Sequence, residues 1–421
     1  MNHKIGIILA LISFSVMGCA SSSGTGSSSN TAANTSEASS ASVENVSGQT
    51  QNLSSEKVDP TDATVIDNVG PTIAANCRTE IIDFIQKTDG SVQVLTSDGI
   101  LHLMDKVGNV KNDQKVSDNA RNYILLPTTD VILHFKTDSI MVESTINGTE
   151  FFKLAGDPSK KKAYFNIDAT ELALMTPTGN YNVWKTEKGF GGIKLNERVQ
   201  EFINRQSPDH QLGFPGDVTA ISIGKDNHMA IALNETDTGK IGRLFHYDPG
   251  EPQIIESSGS SNSVKSTKTS SRTGVLKNLA RANTPIKNVA ISPSSNYVAA
   301  VDENGQFYFT GTINPGFMIF SKLYQDVKAV MFDNDMPIMI RNSSVTAIDQ
   351  DSGLVKYQIN EKYDRCMSVT GKLYCVASGY FDIRTASDGK LQQRFVFNGE
   401  NYALISGGMI SGNLPPACIG K

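Results

Sequence analysis

The feature that most constrains this chain is a loose repeat of short strands and tight turns that begins near residue 73. The clearest copy covers 289–309, with a strand, a Ser-Pro turn, a second strand, an Asn-Gly turn at 304–305 and a third strand. Asn-Gly and Asp-Gly accept the positive φ of tight hairpins, and apolar residues at every second position are typical of half-buried strands. The repeat therefore predicts an all-β fold with hardly any helix.

The spacing of the repeat narrows the architecture. The copies begin near positions 81, 123, 162, 218, 286, 327 and 363, and most spacings are about 36–42 residues, the range of propeller blades. The copy at 289–309 resembles a WD40-like blade. Those at 345–353 and 381–390, where a strand ends in Asp before a small-residue turn with Gly, resemble quinoprotein-type blades.

The resemblance implies a β-propeller of seven blades, although six or eight also fit the spacing. An array of β-sandwiches is the competing fold, and it gives no reason for Asp/Asn-Gly turns to recur at blade spacing. Two wide gaps between copies predict insertions at about 197–216 and 257–285. The first contains a short helical-looking piece, and the second is rich in Ser, Thr and Lys.

The N-terminal residues have the pattern of an export signal. Residues 5–17 form an apolar stretch that is too short to cross a bilayer. The Val-Met-Gly-Cys at 16–19 resembles the lipobox of bacterial lipoproteins, which implies cleavage after Gly18 and lipidation of Cys19. In that family Ala20, where retained proteins carry Asp, favours the outer membrane. An ordinary secretory signal with an incidental cysteine is the alternative.

Residues 20–62 are mainly Ser, Gly, Thr, Asn and Ala, with few aliphatic side chains. Such a segment buries too little apolar surface to offset its ordering entropy, so we expect a disordered tether with an r.m.s. span of roughly 35 Å. The predicted organisation is a signal peptide at 1–18, the lipidated cysteine and tether at 19–72, and the propeller at 73–421. The formal charge of −5 argues against a generally basic nucleic-acid binder.

Four cysteines remain after Cys19, which allows three disulfide connectivities in an exported protein. If Thr370-Gly371 is a two-residue hairpin loop, Cys366 lies directly opposite Cys375, at a separation that a disulfide can span. That pairing leaves Cys77 with Cys418, at the two ends of the repeat region. Free buried thiols are the alternative.

The sequence offers little catalytic chemistry. The six histidines have no metal-ligand spacing, and His102 and His134 lie in strand-like runs where a structural role is expected. Thr-Gly-Lys at 238–240 and 370–372 lacks the upstream glycine of a P-loop. Compared with quinone-dependent dehydrogenases, the chain lacks adjacent cysteines and has one Trp. We therefore predict no enzyme, no cofactor and no metal.

The second insertion is basic in an otherwise acidic chain, with no acidic residue between 257 and 285. One interpretation of this segment is a basic arm that folds on an acidic partner, on peptidoglycan or on anionic headgroups. The alternative is a solvated loop between blades. Residues 275–282 could form two helical turns with Leu276 and Leu279 on one side. The candidate partner-binding residues are Lys265, Lys268, Arg272, Lys277 and Arg281.

These features favour a membrane-anchored envelope lipoprotein whose propeller is a scaffold for protein–protein contacts. Outer-membrane assembly lipoproteins of the quinoprotein-like propeller type are the nearest analogue, which places the protein in an outer-membrane assembly or secretion complex by fold-level analogy alone. The alternative is a small-ligand or glycan binder, or a hydrolase, that uses the central channel. The partner is an unidentified envelope protein.

Overall fold

A computed structural model describes most of the repeat region. Every described residue belongs to one compact unit, which spans 59–421. The predicted signal peptide and Cys19 lie outside the described residues. The described ranges are 64–66, 73–87, 89–118, 120–126, 131–145, 148–165, 171–175, 181–185, 210–212, 217–225, 228–234, 242–248, 253–254, 270–271, 275–313 and 323–419.

In the described part of the chain, strands form seven larger sheets, numbered here in chain order, and one small ribbon. Sheet 1 contains β2 (Ile81–Gln86), β3 (Val92–Thr96), β4 (Ile100–Met104) and β5 (Val110–Lys115). Sheet 2 contains β6 (Tyr123–Leu125), β7 (Val131–Phe135), β8 (Ile140–Ser144) and β9 (Glu150–Leu154). Sheet 3 contains β10 (Ala163–Phe165), β11 (Glu171–Met175), β12 (Tyr181–Lys185) and β13 (His210–Leu212).

Sheet 4 contains β14 (Asp217–Ile223), β15 (Met229–Asn234), β16 (Gly242–Asp248) and β19 (Val275–Arg281), and the ribbon pairs β17 (Gln253–Ile254) with β18 (Ser270–Ser271). Sheet 5 contains β20 (Ile286–Ile291), β21 (Tyr297–Asp302) and β22 (Phe307–Gly311). Sheet 6 contains β23 (Val327–Asp333), β24 (Met336–Arg341), β25 (Val345–Ile348) and β26 (Val355–Ile359), and β1 (Thr64–Ile66) joins it. Sheet 7 contains β27 (Arg365–Val369), β28 (Lys372–Ala377), β29 (Tyr380–Thr385), β30 (Leu391–Asn398), β31 (Asn401–Ser406) and β32 (Met409–Gly412).

The seven sheets confirm the all-β prediction and give a propeller-like arrangement. Consecutive strands pair antiparallel within each sheet, and the first strand of every sheet begins within two residues of the position that the repeat predicts. The helical turns found among the described residues are short 3₁₀ turns at Ala75–Cys77, Ala120–Asn122, Pro158–Lys160 and Pro416–Cys418. None of the helices there is long and apolar enough to cross a membrane.

Hydrophobic clusters join the sheets in order. They connect sheet 1 with 2, 2 with 3, 3 with 4, 4 with 5, 5 with 6, 6 with 7, and 7 with 1. Central strands such as β3 and β25 are buried along their whole length, because both faces of their sheets are covered. A strand buried on both faces needs a nearly continuous apolar run. This explains why the alternating pattern is weak in these strands.

Sheet 7 meets sheet 1 through a hydrophobic cluster and through hydrogen bonds beside it. Phe381 packs on Phe84 with ring centroids 5.3 Å apart. The Lys372 ammonium donates to the carbonyl of Lys106 at 3.1 Å, and the Gln393 amide donates to a neighbouring carbonyl at 2.8 Å. The first and last sheets are therefore in direct contact.

Two disulfides are present, and they are the pairs favoured by the sequence. Cys366 and Cys375 lie opposite each other in the β27–β28 hairpin, with Cα atoms 4.1 Å apart. Cys77 joins Cys418 across 341 positions, with Cα atoms 5.6 Å apart. A backbone hydrogen bond from the N–H of Ala74 to the carbonyl of Cys418 lies beside the second bridge.

The segment before sheet 1 pairs with the outer strand of sheet 6 and contacts sheet 7 and the C-terminal segment that follows it. β1 pairs in parallel with β26, and Ile73 forms a bridge with Ile419. The N–H of Thr79 then donates to the carbonyl of Phe397 at 2.7 Å. Because β26 is otherwise the outer strand of sheet 6, β1 covers an edge that this sheet would expose.

The structure corrects the end of the second predicted insertion. Residues 275–281 are β19, the outer strand of sheet 4, and the two helical turns predicted over 275–282 are wrong. Leu276 and Leu279 pack into different hydrophobic clusters, one towards sheet 3 and one towards sheet 5. The edge of β16 supplies backbone partners that an isolated two-turn helix lacks, and short helices depend on tertiary packing. β13 likewise places 210–212, the end of the first predicted insertion, in sheet 3.

Candidate functional site

The first strands of sheets 1, 2, 3 and 7 border a cavity of about 450 Å³. Ligand sites commonly have volumes of ~300–1,000 Å³. We call this space the inner cavity. Its lining residues are Ile82, Asp83, Phe84, Ile85, Arg121, Tyr123, Ile124, Leu125, Lys161, Lys162, Ala163, Tyr164, Phe165, Arg365, Cys366 and Met367.

A β-bulge at the start of β2 places Asp83. The register with β3 shifts between Ile81 and Asp83, and equivalent shifts occur at the start of the first strands of sheets 4, 5 and 6. A bulge adds one residue to a strand and redirects the side chains beside it. Here it directs a buried carboxylate towards the neighbouring sheets.

Asp83 connects three sheets through its two oxygens. One oxygen accepts from the N–H of Leu125 in sheet 2 at 2.8 Å, and the other accepts from the N–H of Phe84 at 2.9 Å and from Arg365 in sheet 7. The Arg365 guanidinium also lies over the Phe84 ring, 4.5 Å from its centroid. Asp83 is only 8% exposed, so its hydrogen bonds replace the water that burial removes.

Sheet 5 repeats part of this arrangement. Asn288 follows the bulge in β20 as Asp83 follows the bulge in β2, and its side-chain oxygen accepts from the N–H of Val330 in sheet 6 at 2.8 Å. Ser222 of sheet 4 accepts from the N–H of Ile291 in sheet 5 at 3.2 Å. Polar side chains on first strands thus satisfy backbone donors of the next sheet.

Cationic side chains form one rim of the inner cavity. Arg121 pairs with Glu80 at 2.6 Å, and Lys161 donates to the side-chain oxygen of Asn122 at 2.7 Å. Lys162 is exposed beside Lys161. Of the charged lining residues, four are cationic and only Asp83 is anionic.

The lining between the charges is apolar and only partly covered. Ile82, Ile124, Phe165 and Met367 are each intermediate in exposure. The first, third and fourth pack against the core between sheets 1 and 2, and Ile124 packs against the core between sheets 2 and 3. A smaller cavity of about 270 Å³ shares Ile82 and Arg365 with the inner cavity and extends between sheets 7 and 1. The arrangement combines apolar surface with positive charge, which suits an anion that carries apolar groups.

The histidines in strands make structural contacts. His102 is fully buried, its Nδ1 lies 2.6 Å from the Asp113 carboxylate, and its ring stacks on Phe397. Burial lowers the pKa of His102, although the Asp113 hydrogen bond opposes that shift. His134 contacts Glu143 at 2.8 Å in the same way and stacks on a tyrosine ring of sheet 2.

A histidine pair that the sequence did not predict lies at sheet 4. The Nδ1 of His228 lies 3.0 Å from the Nε2 of His246, with the rings nearly parallel. Burial, and then the charge of His228, lower the pKa of His246 to about 4. His246 lies on β16, and His228, 18 positions away, directly precedes β15, so only the strand register could have revealed the pair. In the described part of the chain no group of three or more His, Cys, Asp or Glu residues could hold a metal ion.

A buried ionic cluster in sheet 7 was also missed. Arg384 and Asp382 are fully buried. Arg384 donates to the Tyr363 hydroxyl at 2.8 Å, and Arg394 donates to Asp382 at 2.7 Å and to Glu361 at 2.6 Å. Burial, and then the negative charge of Asp382, raise the pKa of Tyr363. Two cations and two carboxylates balance here, which is typical of a structural network.

Within the described part of the chain, the predicted partner-binding residues do not form a cluster. Lys265, Lys268 and Arg272 lie outside them, as Cys19 does. Lys277 and Arg281 lie on β19, where the ammonium of Lys277 is 3.8 Å from the Asp248 carboxylate. The basic character of this strand is therefore presented on a sheet edge.

Comparisons with known proteins give no family. No protein-family model matches the chain, and no curated protein matches it. A computationally designed protein, Ika8, is similar in structure with a TM-score of 0.48 and 12% identity, covering 84% of this chain and 99% of the designed one. Hsv2 of Kluyveromyces lactis has a TM-score of 0.46 and 10% identity, covering 75% and 98%. Similarity at this level carries no argument about function.

Proposed function

We propose that the protein is a membrane-anchored envelope lipoprotein whose β-propeller is a rigid platform for protein–protein contacts. The observation that carries the proposal is the use of its five cysteines. Four of them are paired in two disulfides, which belong in an oxidising compartment. The fifth, Cys19, follows the N-terminal apolar stretch at the position of a lipobox cysteine. Export, lipidation of Cys19 and disulfide formation are therefore consistent with one another.

The platform that we propose is a closed ring of seven blades, one for each of the seven larger sheets. The cyclic order of the hydrophobic clusters supports closure, because the seventh cluster joins sheet 7 to sheet 1. The Cys77–Cys418 bridge would then fasten the two ends of the ring. A ring of this kind keeps its blade edges and loops in fixed relative positions, which is what simultaneous contacts with several partners require.

Ring closure can be tested on the purified, non-reduced protein with a short amine-reactive cross-linker. Lys106 of sheet 1 should cross-link to Lys372 of sheet 7, since the Lys372 ammonium already contacts the Lys106 carbonyl. Lys225 of sheet 4 is the control and should not cross-link to either. A missing Lys106–Lys372 product, with other lysines modified normally, would contradict closure.

The biological role that we propose is that of a non-enzymatic component of an outer-membrane assembly or secretion complex. A tether of about 40 residues would hold the platform near the membrane without fixing its orientation, and would raise its local concentration there. The inner cavity is compatible with the second candidate role, that of a small-ligand or glycan binder.

Cross-linking in intact cells, followed by mass spectrometry, tests the platform role. Photo-reactive residues at exposed positions such as Lys362 and Lys390 should recover a small, reproducible set of envelope proteins. Recovery must disappear when the protein is expressed without its signal peptide. A monomer that captures no envelope protein and purifies with a ligand in the inner cavity would contradict the platform role and favour the second candidate.

A further inference from the structure

We propose that the inner cavity binds a carboxylate carried by an apolar segment of a partner polypeptide. The inference rests on the proposed platform function and specifies the chemistry of one contact. The occupant is defined by the two properties of the cavity, its positive rim and its partly covered apolar lining. The carboxylate could come from a free C-terminus or from an acidic side chain, and both supply the same chemistry.

The positive charge available to a ligand comes mainly from the two lysines. Arg365 and Arg121 are paired with Asp83 and Glu80, so much of their charge is balanced within the protein. In the described part of the chain, neither Lys161 nor Lys162 forms an ion pair with a carboxylate. An incoming carboxylate would therefore meet two ammonium groups that gain an ionic partner on binding.

The lysines follow a fixed turn. Asp157 caps the 3₁₀ turn Pro158–Lys160 by accepting from the N–H of Ser159 at 3.0 Å. Lys161 then adopts a left-handed conformation with φ of 46°, and Lys162 leads directly into β10. A short turn between a cap and a strand limits how far the two backbone positions move, so the charge is presented at one place on the rim.

The negative charge of Asp83 does not prevent the cavity from binding a ligand carboxylate. Both of its oxygens are engaged by protein donors, one by the N–H of Leu125 and the other by Phe84 and Arg365. A carboxylate with its acceptor sites filled, and an arginine beside it, repels a ligand anion little. The anion-binding rim and the structural carboxylate can therefore coexist in one cavity.

The apolar part of the cavity determines the second property of the ligand, which is an apolar group beside the carboxylate. Ile82, Ile124, Phe165 and Met367 keep part of their surface exposed around the cavity. Covering apolar surface contributes about 25 cal/mol per Å². A free inorganic anion gains nothing from this lining, whereas a carboxylate beside leucine or phenylalanine side chains gains from both parts.

The experiment measures binding of three fluorescent peptides to the full mature chain by fluorescence anisotropy. The first is a short leucine- and phenylalanine-rich peptide with a free C-terminus, the second is its C-terminal amide, and the third is the amide with one internal glutamate. We expect the first or third peptide to bind at least about tenfold more tightly than the second. The stronger of the two identifies whether the carboxylate is terminal or from a side chain.

Lys162→Glu should lower the affinity for the tighter-binding peptide by about tenfold or more, and a higher salt concentration should lower it as well. Lys153→Glu on β9 makes the same charge change at another exposed position, and it should alter the affinity by less than about twofold. Circular dichroism checks that both variants fold. Equal affinity for all three peptides, or an equal effect of the two substitutions, would overturn the proposal.

The same variant separates this inference from the platform function. If intact-cell cross-linking recovers the same envelope proteins with Lys162→Glu as with the unaltered chain, the cavity is not the contact and the platform proposal stands. If the unaltered chain recovers none, the platform proposal itself fails. A loss of recovery with Lys162→Glu and not with Lys153→Glu supports both.

Discussion

The carboxylate of Asp83 in sheet 1 lies 2.5 Å from the guanidinium of Arg365 in sheet 7, although the two residues are 282 positions apart. The same carboxylate accepts the N–H of Leu125 in sheet 2. One side chain thus fixes the relative positions of three sheets where they border the inner cavity. Closing a loop of this length costs conformational entropy, which the contact must offset.

Replacing Asp83 by Ala should destabilise the protein by about 2–3 kcal/mol. The substitution leaves the buried N–H of Leu125 without a partner and removes the carboxylate that neutralises Arg365. Urea unfolding monitored by circular dichroism measures the change. Asp118→Ala removes a carboxylate whose side chain is 99% exposed and should change the stability by less than about 0.5 kcal/mol. Similar losses for the two variants would show that Asp83 does not link the sheets.

The two disulfides should contribute unequally. In the chain-entropy model, a bridge across 341 positions stabilises by about 5–6 kcal/mol and one across nine by about 3 kcal/mol, both as upper values. Cys77→Ser/Cys418→Ser should therefore lower the unfolding midpoint more than Cys366→Ser/Cys375→Ser. Denaturant unfolding of the two double variants, compared with the oxidised parent, provides the measurement. The reverse order would contradict a long-range closing role for Cys77–Cys418.

His246 should make stability depend on pH. Its pKa falls from 6.5 to about 4 because of burial first and the charge of His228 second, while Asp248 opposes the shift and Lys277 reinforces it. The folded state therefore binds fewer protons than the unfolded state between these values. This contribution is complete above pH 6.5 and is lost as the pH falls towards 4.

The expected difference is on the order of 3 kcal/mol between the unaltered chain and His246→Gln over this pH range. The comparison is made by denaturant unfolding at a series of pH values, since carboxylates that titrate near pH 4 affect both proteins alike. Lys277→Gln, which removes a nearby cation, is a control that should retain most of the pH dependence. A His246→Gln curve parallel to that of the unaltered chain would exclude this residue as the cause.

The protein should remain stable when the basic segment before β18 is shortened, but not when the deletion also removes β19. Residues 253–254 pair with 270–271, so the chain ends of the intervening loop are already adjacent and a short linker can replace 256–268. Removing 256–281 also removes the outer strand of sheet 4 and the buried Leu279. We expect a loss below about 1 kcal/mol for the first deletion and above about 3 kcal/mol for the second. Thermal unfolding of the two variants would contradict this account if the losses were equal.

The fold was largely predictable because its signals are local. Turn residues such as Asn304-Gly305 and alternating strands mark where each sheet begins, and the hairpin at Thr370-Gly371 sets Cys366 opposite Cys375. The helical turns expected at 275–282 failed because the pattern of Leu276 and Leu279 fits either structure, and an available sheet edge decided between them.

The candidate site was less predictable because its residues come from four sheets. Asp83 is a single polar residue within an apolar strand, and nothing local indicates that Leu125 and Arg365 will be its partners. His228 and His246 meet only through the β15–β16 register. Lys161 and Lys162 had no motif to distinguish them from other surface lysines. A polar residue beside the start of a first strand is the signal that could have pointed to Asp83 and Asn288.

The most direct test of the account concerns Cys19, because the proposed membrane anchoring of the platform depends on lipidation of this residue. Mass spectrometry of the N-terminal peptide from the membrane-extracted protein should show a chain that begins at Cys19 with a diacylglyceryl thioether, and Cys19→Ser should move the protein out of the membrane fraction. An unmodified N-terminal peptide that begins elsewhere, or a Cys19→Ser protein that still sediments with membranes, would contradict the proposal of an envelope lipoprotein.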